Sequence, residues 1–520
     1  MRRAVLRGLR HRTSAAAGIE NPDAEDYFLL HAFAQHAATA ARQDRIPGQP
    51  MTTTASPRRS WPDYSAVWRW HFYAGLLCVP FIIWLSITGS IYLFKPQIES
   101  WLDAPYDHLA LAGHRASADA QVQAALAAMP GSTLRAYVLP ARPQDATRIL
   151  IGKGDDVFRV YLNPETRKVL KTVNEGARFM NQISFLHGQL AIGDRGSMIV
   201  EIAACWAIVM ILTGLFLWWP RGTTGPGGVL FPRLNSGARL FWRDLHAVTG
   251  LWVSALALGL LLTGLPWAKN WGDYLREVRV ITGTTEGVQD WTNGQPSRTD
   301  TAVVNHADHM HAAAPPVGGG SGMAPAMGMD HRAMAPARPT VTLAALVSTA
   351  ATLDLAAPVL LTPPRHDGGP WIVKSDAANR PLRATVELDG ATGAILGRRN
   401  FNQRHLIDQA ICIGIAAHEG ALFGWINQLI SAGAALGLVM VSASAIVLWV
   451  RRRPGGALGA PEQMVRPRFA PALLGIIVVL AVLFPLFGVS LVTVAIAERI
   501  VLRPFAPVRA WLGLTSAADE

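Results

Sequence analysis

Two apolar stretches of this chain each contain a histidine followed at the same distance by a Thr-Gly dipeptide. His71 precedes Thr88 by 17 residues, and His246 precedes Thr263 by 17 residues. Neutral imidazole is a common ligand for transition metals and for metal-containing cofactors. The repeated spacing therefore indicates two related segments that each present one imidazole in the same setting.

A second pair of histidines repeats at a longer spacing. His187 precedes Trp218 by 31 residues, and His418 precedes Trp449 by 31 residues. Aromatic residues are common at membrane interfaces, but interfacial placement alone does not explain offsets that match in both halves. We therefore predict that the four histidines form two sites.

The composition is typical of a membrane protein. The chain has 520 residues, of which 50% are hydrophobic and 16% are charged, whereas soluble domains carry about 25% charged residues. A membrane-spanning helix needs about 20 apolar residues. Five segments meet this requirement, namely 70–95, 197–220, 244–267, 425–450 and 471–497. We therefore expect an α-helical multi-pass membrane protein with about five transmembrane helices and an internal duplication.

Arginines in short loops set the predicted orientation. The loops 221–243 and 451–470 are rich in arginine, and the positive-inside rule places both in the cytoplasm. The N-terminal segment 1–69 is then cytoplasmic. Within it, residues 1–50 are interpreted as an upstream extension before a start at Met51, or alternatively as an amphipathic surface helix. The remaining segments lie outside in this scheme: 96–196, 268–424 and 498–520.

The charge balance bears on the partners of the chain. The formal net charge is +11, and we attribute it to topology and contact with the membrane surface. The sequence has no basic stripe with interleaved aromatic residues, so nucleic acid is not a predicted partner. The lipid bilayer is the predicted partner. The three cysteines form no C-x-x-C-H motif, which excludes covalent c-type haem.

Both long outside segments predict small α+β modules. In 96–196 an alanine-rich helical stretch precedes strand-like runs with turns near Gly152–Asp156 and Asn163-Pro164. Residues 340–400 repeat this order, with a turn at Asp389-Gly390. Modules of about 60–80 residues are marginally stable alone. We therefore expect them to pack on the membrane part or on each other.

A low-complexity insert, roughly 301–338, interrupts the second outside segment. Gly, Pro and Ala predominate there, which is typical of a chain without a packed core. The insert also contains imidazoles and thioethers, a soft ligand set that suits copper. Copper capture and a plain linker are both open interpretations. The predicted metal ligands are His306, His309, Met310, His311, Met327, Met329 and His331.

The paired motifs H-x3-G…TG and LHG…WWPR, with the turn motif ATVELDGATGAIL, resemble the PepSY-associated transmembrane helix family over about residues 60–498. The counterpart of the turn motif in the first module, RVYLNPETRKVL, departs from the family pattern. The resemblance implies a multi-pass protein of the bacterial inner membrane with a cytoplasmic N-terminus and two small periplasmic α+β PepSY-like modules. In the best-understood members it implies two b-type haems and reduction of ferric-siderophores.

Topology sorts the histidines into pairs independently of the resemblance. His71 and His246 begin spans that run outwards, whereas His187 and His418 precede spans that run inwards. Two neutral imidazoles on facing elements are the ligand set of a b-type haem, but without a carboxylate or thiolate they make a poor closed site for a single metal ion. We therefore expect two haem b groups, one at the His71/His246 pair near the cytoplasm and one at the His187/His418 pair outside.

Three function classes remain open at this point. The first is an inner-membrane di-haem electron-transfer protein that reduces a periplasmic ferric-siderophore or Cu(II) during metal uptake. Its electron donor would be a quinol or a cytoplasmic reductase, because the chain has no nucleotide- or flavin-binding motif. The second is a non-redox PepSY-type binding or regulatory membrane protein. The third is a metal permease, which the lack of paired intramembrane carboxylates disfavours. No catalytic residue is predicted.

Overall fold

The structure of the protein is a computed structural model. It describes residues 64–221, 225–284, 341–461 and 471–514. The segment 1–50, interpreted above as an upstream extension, lies outside the described residues.

The first half of the chain runs from one long helix through a sheet module to a second long helix. Its elements are helices α1 (Tyr64–Leu93), α2 (Lys95–Asp103) and α3 (Ala118–Ala128), strands β1 (Thr133–Val138), β2 (Thr147–Lys153), β3 (Asp156–Leu162) and β4 (Val169–Asn174), and helices α4 (Phe179–Gln189) and α5 (Asp194–Trp218).

The second half repeats this order. Its elements are helices α6 (Ala238–Gly264), α7 (Lys269–Ile281) and α8 (Leu343–Ala351), strands β5 (Val359–Thr362), β6 (Trp371–Ser375), β7 (Thr385–Leu388) and β8 (Ile395–Arg399), and helices α9 (Leu406–His418) and α10 (Trp425–Arg452). Three further helices follow: α11 (Pro471–Leu483), α12 (Pro485–Ala497) and α13 (Ala506–Leu512).

Among the described residues, five helical segments are long and apolar enough to cross a membrane. Four of them are α1, α5, α6 and α10, which form a ring in which α1 contacts α5 and α10, and α6 contacts the same two helices. Small residues allow this close approach, as expected for helices packed in lipid. A Cβ atom at Gly437 of α10 would lie 2.4 Å from Val253 of α6. The multi-pass helical membrane architecture expected from the sequence is confirmed.

The two α+β modules form one continuous sheet. The strand order is β4-β3-β2-β1-β5-β6-β7-β8, and every neighbouring pair is antiparallel. The halves join where Tyr137 and Val138 of β1 pair with Leu361 and Leu360 of β5. The sequence predicts two modules that pack on the membrane part or on each other, and the structure joins them edge to edge through β5, a strand that the sequence analysis missed.

The core of this sheet lies on the face that α3 and α8 cover. Ile149 and Val160 from the first module and Leu346 and Val386 from the second are completely buried in one apolar cluster. Asp119 of α3 accepts hydrogen bonds from the first backbone N–H groups of α8 at 3.0 Å, which satisfies donors that a helix start leaves unpaired. The two modules therefore share both a sheet and a core.

The C-terminal region differs from the predicted single span 471–497. Proline lacks an N–H and disfavours helical geometry in the residue before it. The helix accordingly breaks at Phe484, whose φ and ψ are −128° and 80°, before Pro485. Trp271 of α7 donates to the Leu483 carbonyl at 3.0 Å, which places this break near the end of α6 that leads into the sheet.

The chain then returns along α12 to the opposite end of the bundle. Tyr73 of α1 donates to the Leu512 carbonyl at 2.6 Å, and Arg69 donates to the carbonyls of Pro461 at 2.6 Å and Gly513 at 3.0 Å. The described part of the predicted periplasmic tail 498–520 therefore lies at the same end as the start of α1. The prediction of an outside tail is wrong relative to that helix, because the chain breaks at Phe484 and the apolar segment long enough to cross a membrane is Pro485–Leu502.

Candidate functional site

The first histidine pair lies near the beginnings of two spanning helices. His71 of α1 and His246 of α6 have ring centroids 6.3 Å apart, with ring planes at 79°. The ring of α1, α5, α6 and α10 brings them together across the bundle interior. The pairing predicted from topology is therefore present in the structure.

The second pair lies at the other end of the same bundle. His187, in the last turn of α4, and His418, the last residue of α9, have ring centroids 6.4 Å apart and ring planes at 73°. A tight turn follows each short helix, and the glycine before the next span has positive φ, 68° at Gly193 and 60° at Gly424. Left-handed backbone favours glycine, which explains why a glycine follows each of these histidines by six residues.

The His71/His246 pair is oriented by backbone carbonyls of the neighbouring spans. The Nδ1 atom of His71 lies 3.1 Å from the carbonyl oxygen of Met210 on α5 and 3.1 Å from the hydroxyl of Thr213. The Nδ1 atom of His246 lies 3.0 Å from the carbonyl oxygen of Val441 on α10 and 3.4 Å from the hydroxyl of Ser444. A carbonyl oxygen only accepts hydrogen bonds, so each Nδ1 carries the proton and each Nε2 keeps its lone pair.

The His187/His418 pair is oriented by the threonines of the 17-residue spacing. Nδ1 of His187 lies 2.9 Å from the hydroxyl of Thr88, and Nδ1 of His418 lies 3.1 Å from the hydroxyl of Thr263. Each hydroxyl donates its hydrogen to a carbonyl four residues earlier in its own helix, at 2.8 and 2.7 Å. The hydroxyl oxygen must therefore accept from Nδ1, which again leaves Nε2 with a lone pair.

These contacts explain the 17-residue spacing between histidine and threonine. The threonine on α1 or α6 does not contact the histidine of its own helix. It accepts a hydrogen bond from a histidine of the other pair. A rise of 1.5 Å per residue makes the 17-residue spacing about 25 Å long. Each of the two helices thus links both histidine pairs across the bundle.

The geometry of both pairs suits a metal centre held between two imidazoles. Each metal–nitrogen bond is about 2 Å long, and each nitrogen lies about 1.2 Å from the centre of its ring. A metal between two imidazoles therefore separates the ring centroids by about 6.4 Å. The observed separations are 6.3 and 6.4 Å. An imidazole bound through Nε2 would stay free to rotate about its metal–nitrogen bond, so the large interplanar angles are compatible with such a centre. Among the described residues, no Nε2 atom of the four histidines has a hydrogen-bond partner.

Comparison with known families extends this picture. The model of the PepSY-associated TM region matches residues 68–452. This chain belongs to the PepSY-associated TM region family. No curated protein matches the chain. All four histidines lie within the matched residues, whereas α11, α12 and α13 follow them.

Glycines of this PepSY-associated chain lie directly against three of the four imidazoles. A Cβ atom would come within 3.0 Å of His71 Cε1 at Gly214, within 3.1 Å of His187 Cε1 at Gly89, and within 3.2 Å of His418 Cε1 at Gly264. Any larger residue would push the ring. Sequence reasoning noted the Thr-Gly dipeptides but missed Gly214, which lies on a different helix from His71.

Charged residues surround the His187/His418 pair on the side of the sheet. Burial raises the pKa of Glu419, while the nearby Arg380 and Lys95 oppose that shift. A carboxylate oxygen of Glu419 lies 3.8 Å from Nε of Arg380. The guanidinium of Arg380 lies 5.9 Å from the centre of the Trp267 ring, which in turn is 5.7 Å from the His418 ring. This pair therefore has a polar connection to the second module.

The other predicted metal ligands belong to the His/Met-rich insert. His306, His309, Met310, His311, Met327, Met329 and His331 lie outside the described residues. Within the ranges that are described, no group of three or more His, Cys, Asp or Glu side chains could hold a metal ion.

Proposed function

We propose that this protein is an inner-membrane electron-transfer protein that carries two b-type haems. His71 and His246 would hold one haem, and His187 and His418 would hold the other. The function we infer is reduction of a periplasmic metal complex, a ferric-siderophore or Cu(II), during metal uptake.

The observation that carries this proposal is the geometry of the two pairs. Both have centroid separations close to the value expected for a metal between two imidazoles. In both, Nδ1–H donates to a fixed acceptor, the arrangement that orients histidine ligands and sets their tautomer in metal sites. Two Nε2 lone pairs that have no hydrogen-bond donor among the described residues are otherwise a costly arrangement inside a bundle. Haem at each pair would supply reversible one-electron exchange.

The arrangement along the bundle supports transfer from one membrane face to the other. The pairs lie at opposite ends of α1 and α6, and under the positive-inside rule the arginine-rich loops favour a cytoplasmic side for the His71/His246 end. The sheet lies beyond the His187/His418 end, where Asn379 of the second module donates to the Leu422 carbonyl at 3.3 Å. Electrons would enter at the first pair and leave at the second. Among the predicted donors, a quinol or a cytoplasmic reductase fits this direction.

One observation favours a second candidate, a non-redox PepSY-type binding or regulatory protein. Strand β8 forms an edge of the eight-stranded sheet, and Ile395 and Leu396 on it are 55% and 60% exposed. Exposed apolar edge strands are able to pair with a partner chain. Haem content separates the two candidates, because partner binding at β8 requires no haem.

The test is haem stoichiometry in the purified, haem-replete protein. Pyridine-haemochrome analysis is expected to give two haems per chain, and His71→Ala and His418→Ala are each expected to lose one. His366→Ala, at an exposed loop position, is the matched control and should retain two. A protein without haem after haem-replete expression would contradict the proposal and leave the binding function.

A further inference from the structure

We infer that Arg279 is a positioning residue for His418, acting through a buried ion pair with Asp408. This inference rests on the proposed haem-binding function. Arg279 of α7 meets Asp408 of α9 with two hydrogen bonds of 2.7 Å, one to each carboxylate oxygen. The Arg279 side chain is 1% exposed. A bidentate pair fixes orientation as well as distance.

The position of this pair explains how it acts on the site. Asp408 lies in the first turn of α9, and His418 is the last residue of the same helix. Thr263 of α6 holds the His418 ring, while Arg279, on the helix that follows α6, holds the other end of α9. The continuous segment from Thr263 to Arg279 therefore contacts α9 at both ends. These two contacts restrain rotation and translation of α9.

The first half of the molecule contains an equivalent ion-pair group with the charges reversed. Arg178 immediately precedes α4, the helix of His187, and its guanidinium lies 3.3 Å from Glu99 and 3.6 Å from Asp103 on α2. Here the ligand helix supplies the cation, and the helix after the spanning helix supplies the acids. In the second half, α9 supplies the acid and α7 supplies the cation. The placement recurs although the residue types do not, which favours a positioning role over a chance surface contact.

The ion-pair groups of the two halves differ in burial. The side chains of Arg178 and Asp103 are each 13% exposed, and Arg178 also pairs with Glu175 at 3.1 Å, so loss of one partner leaves others. Arg279 is more deeply buried, and Asp408 is the carboxylate that it pairs with. Breaking a buried pair leaves an uncompensated charge, so substitutions in the second half should have the larger effect on their histidine.

The experiment uses the full-length, haem-replete protein in detergent. Redox titration and low-spin optical spectra are measured for wild type, Arg279→Gln, Asp408→Asn and the charge-swapped double variant Arg279→Asp/Asp408→Arg. A His71→Ala background, which retains the second pair alone, assigns the signals. Arg276→Gln is the matched control, because Arg276 pairs with Asp273 of the same helix in a less buried position.

We expect Arg279→Gln and Asp408→Asn to shift the potential and spectrum of the His187/His418 haem, or to lower its occupancy several-fold. The His71/His246 haem should not change. The reversed charges of the first half lead us to expect at least partial recovery in the double variant. Arg276→Gln should behave as wild type.

Two outcomes would overturn the positioning role. One is an Arg279→Gln protein with two haems and unaltered potentials and spectra. The other is equal loss of both haems that the charge swap does not recover, because that result indicates a general loss of fold. A wild-type protein without haem would instead overturn the proposed function itself, so the two failures are distinguishable.

Discussion

At the scale of single residues, the hydrogen bonds at Nδ1 carry the chemical argument. At the first pair, Nδ1 lies beside a backbone carbonyl and a side-chain hydroxyl, which are Met210 and Thr213 for His71 and Val441 and Ser444 for His246. At the second pair, threonine hydroxyls accept from Nδ1 of His187 and His418. Acceptors at Nδ1 raise the basicity of the ligating nitrogen. At the His187/His418 pair, exchange of the threonine for a residue of the same shape removes this side-chain acceptor.

We predict that Thr88→Val raises the reduction potential of the His187/His418 haem. Valine has the shape of threonine but no acceptor, so His187 becomes a less basic ligand and stabilises Fe(III) less. Redox titration should show this haem shifted and the other unchanged. Thr493→Val is the control, since its hydroxyl donates to the Val489 carbonyl of α12. An equal shift of both haems, or none, would argue against the assigned role of Thr88.

The sequence predicted much of the site at this scale. Matched spacings identified all four histidines and both threonines, and topology predicted the pairing that the structure contains. The sequence did not reveal that Thr88 serves His187, because the two residues are 99 positions apart. Gly214 escaped notice for the same reason. Contacts between helices that are distant in sequence leave no periodic signal on either helix.

At the scale of elements, long apolar helices were predictable and short ones were not. Apolar length alone located four of the five spanning segments to within several residues, whereas the predicted fifth, 471–497, differs from the apolar helical segment Pro485–Leu502. The helices α4 and α9, which carry His187 and His418, are 11 and 13 residues long, too short to be distinguished from the spans that follow them. Strand β5 has four residues, which is too few for an alternating pattern to be recognised.

The His/Met-rich segment calls for a prediction at the element scale. We predict that deletion of residues 305–334 leaves haem content unchanged and lowers Cu(I) binding. Soft thioether and imidazole ligands suit Cu(I), but ordering a Gly/Pro-rich chain costs about 1–2 kcal/mol per residue, so binding should be weak. Titration against a competing Cu(I) chelator measures the change.

Two results of that deletion would count against a copper-binding segment. If copper binding persists, the ligands lie elsewhere in the chain. If haem is lost, the segment contributes to the membrane site. In either case a ferric-siderophore becomes the favoured substrate over copper.

At the scale of the whole molecule, the two duplicated halves combine into one structural unit. Each half contributes one histidine to each pair and four strands to one sheet. Neither half is complete alone, because each pair and the core of the sheet need both. The region after the duplicated part, α11 to α13, turns back and packs its end against Arg69 and Tyr73 at the His71/His246 end.

This return of the chain was not predictable from hydropathy. A window that counts apolar residues reads 471–497 as one span, and the break depends on the backbone at Phe484 and Pro485. The apolar segment long enough to cross a membrane begins at Pro485 and not at residue 471. The number of crossings, and hence the side of the C-terminal helix, followed only from tertiary contacts.

The central claim is that electrons cross the membrane through two histidine-held haems, and transfer across a sealed vesicle tests it most directly. Oriented proteoliposomes would receive dithionite at the His71/His246 face, with a ferric chelate and an Fe(II)-specific chelator trapped inside. One electron reduces each Fe(III). Wild type should accumulate luminal Fe(II), and His71→Ala should not. The account is contradicted if the two-haem wild type leaves the luminal iron ferric, or if His71→Ala reduces it at the wild-type rate.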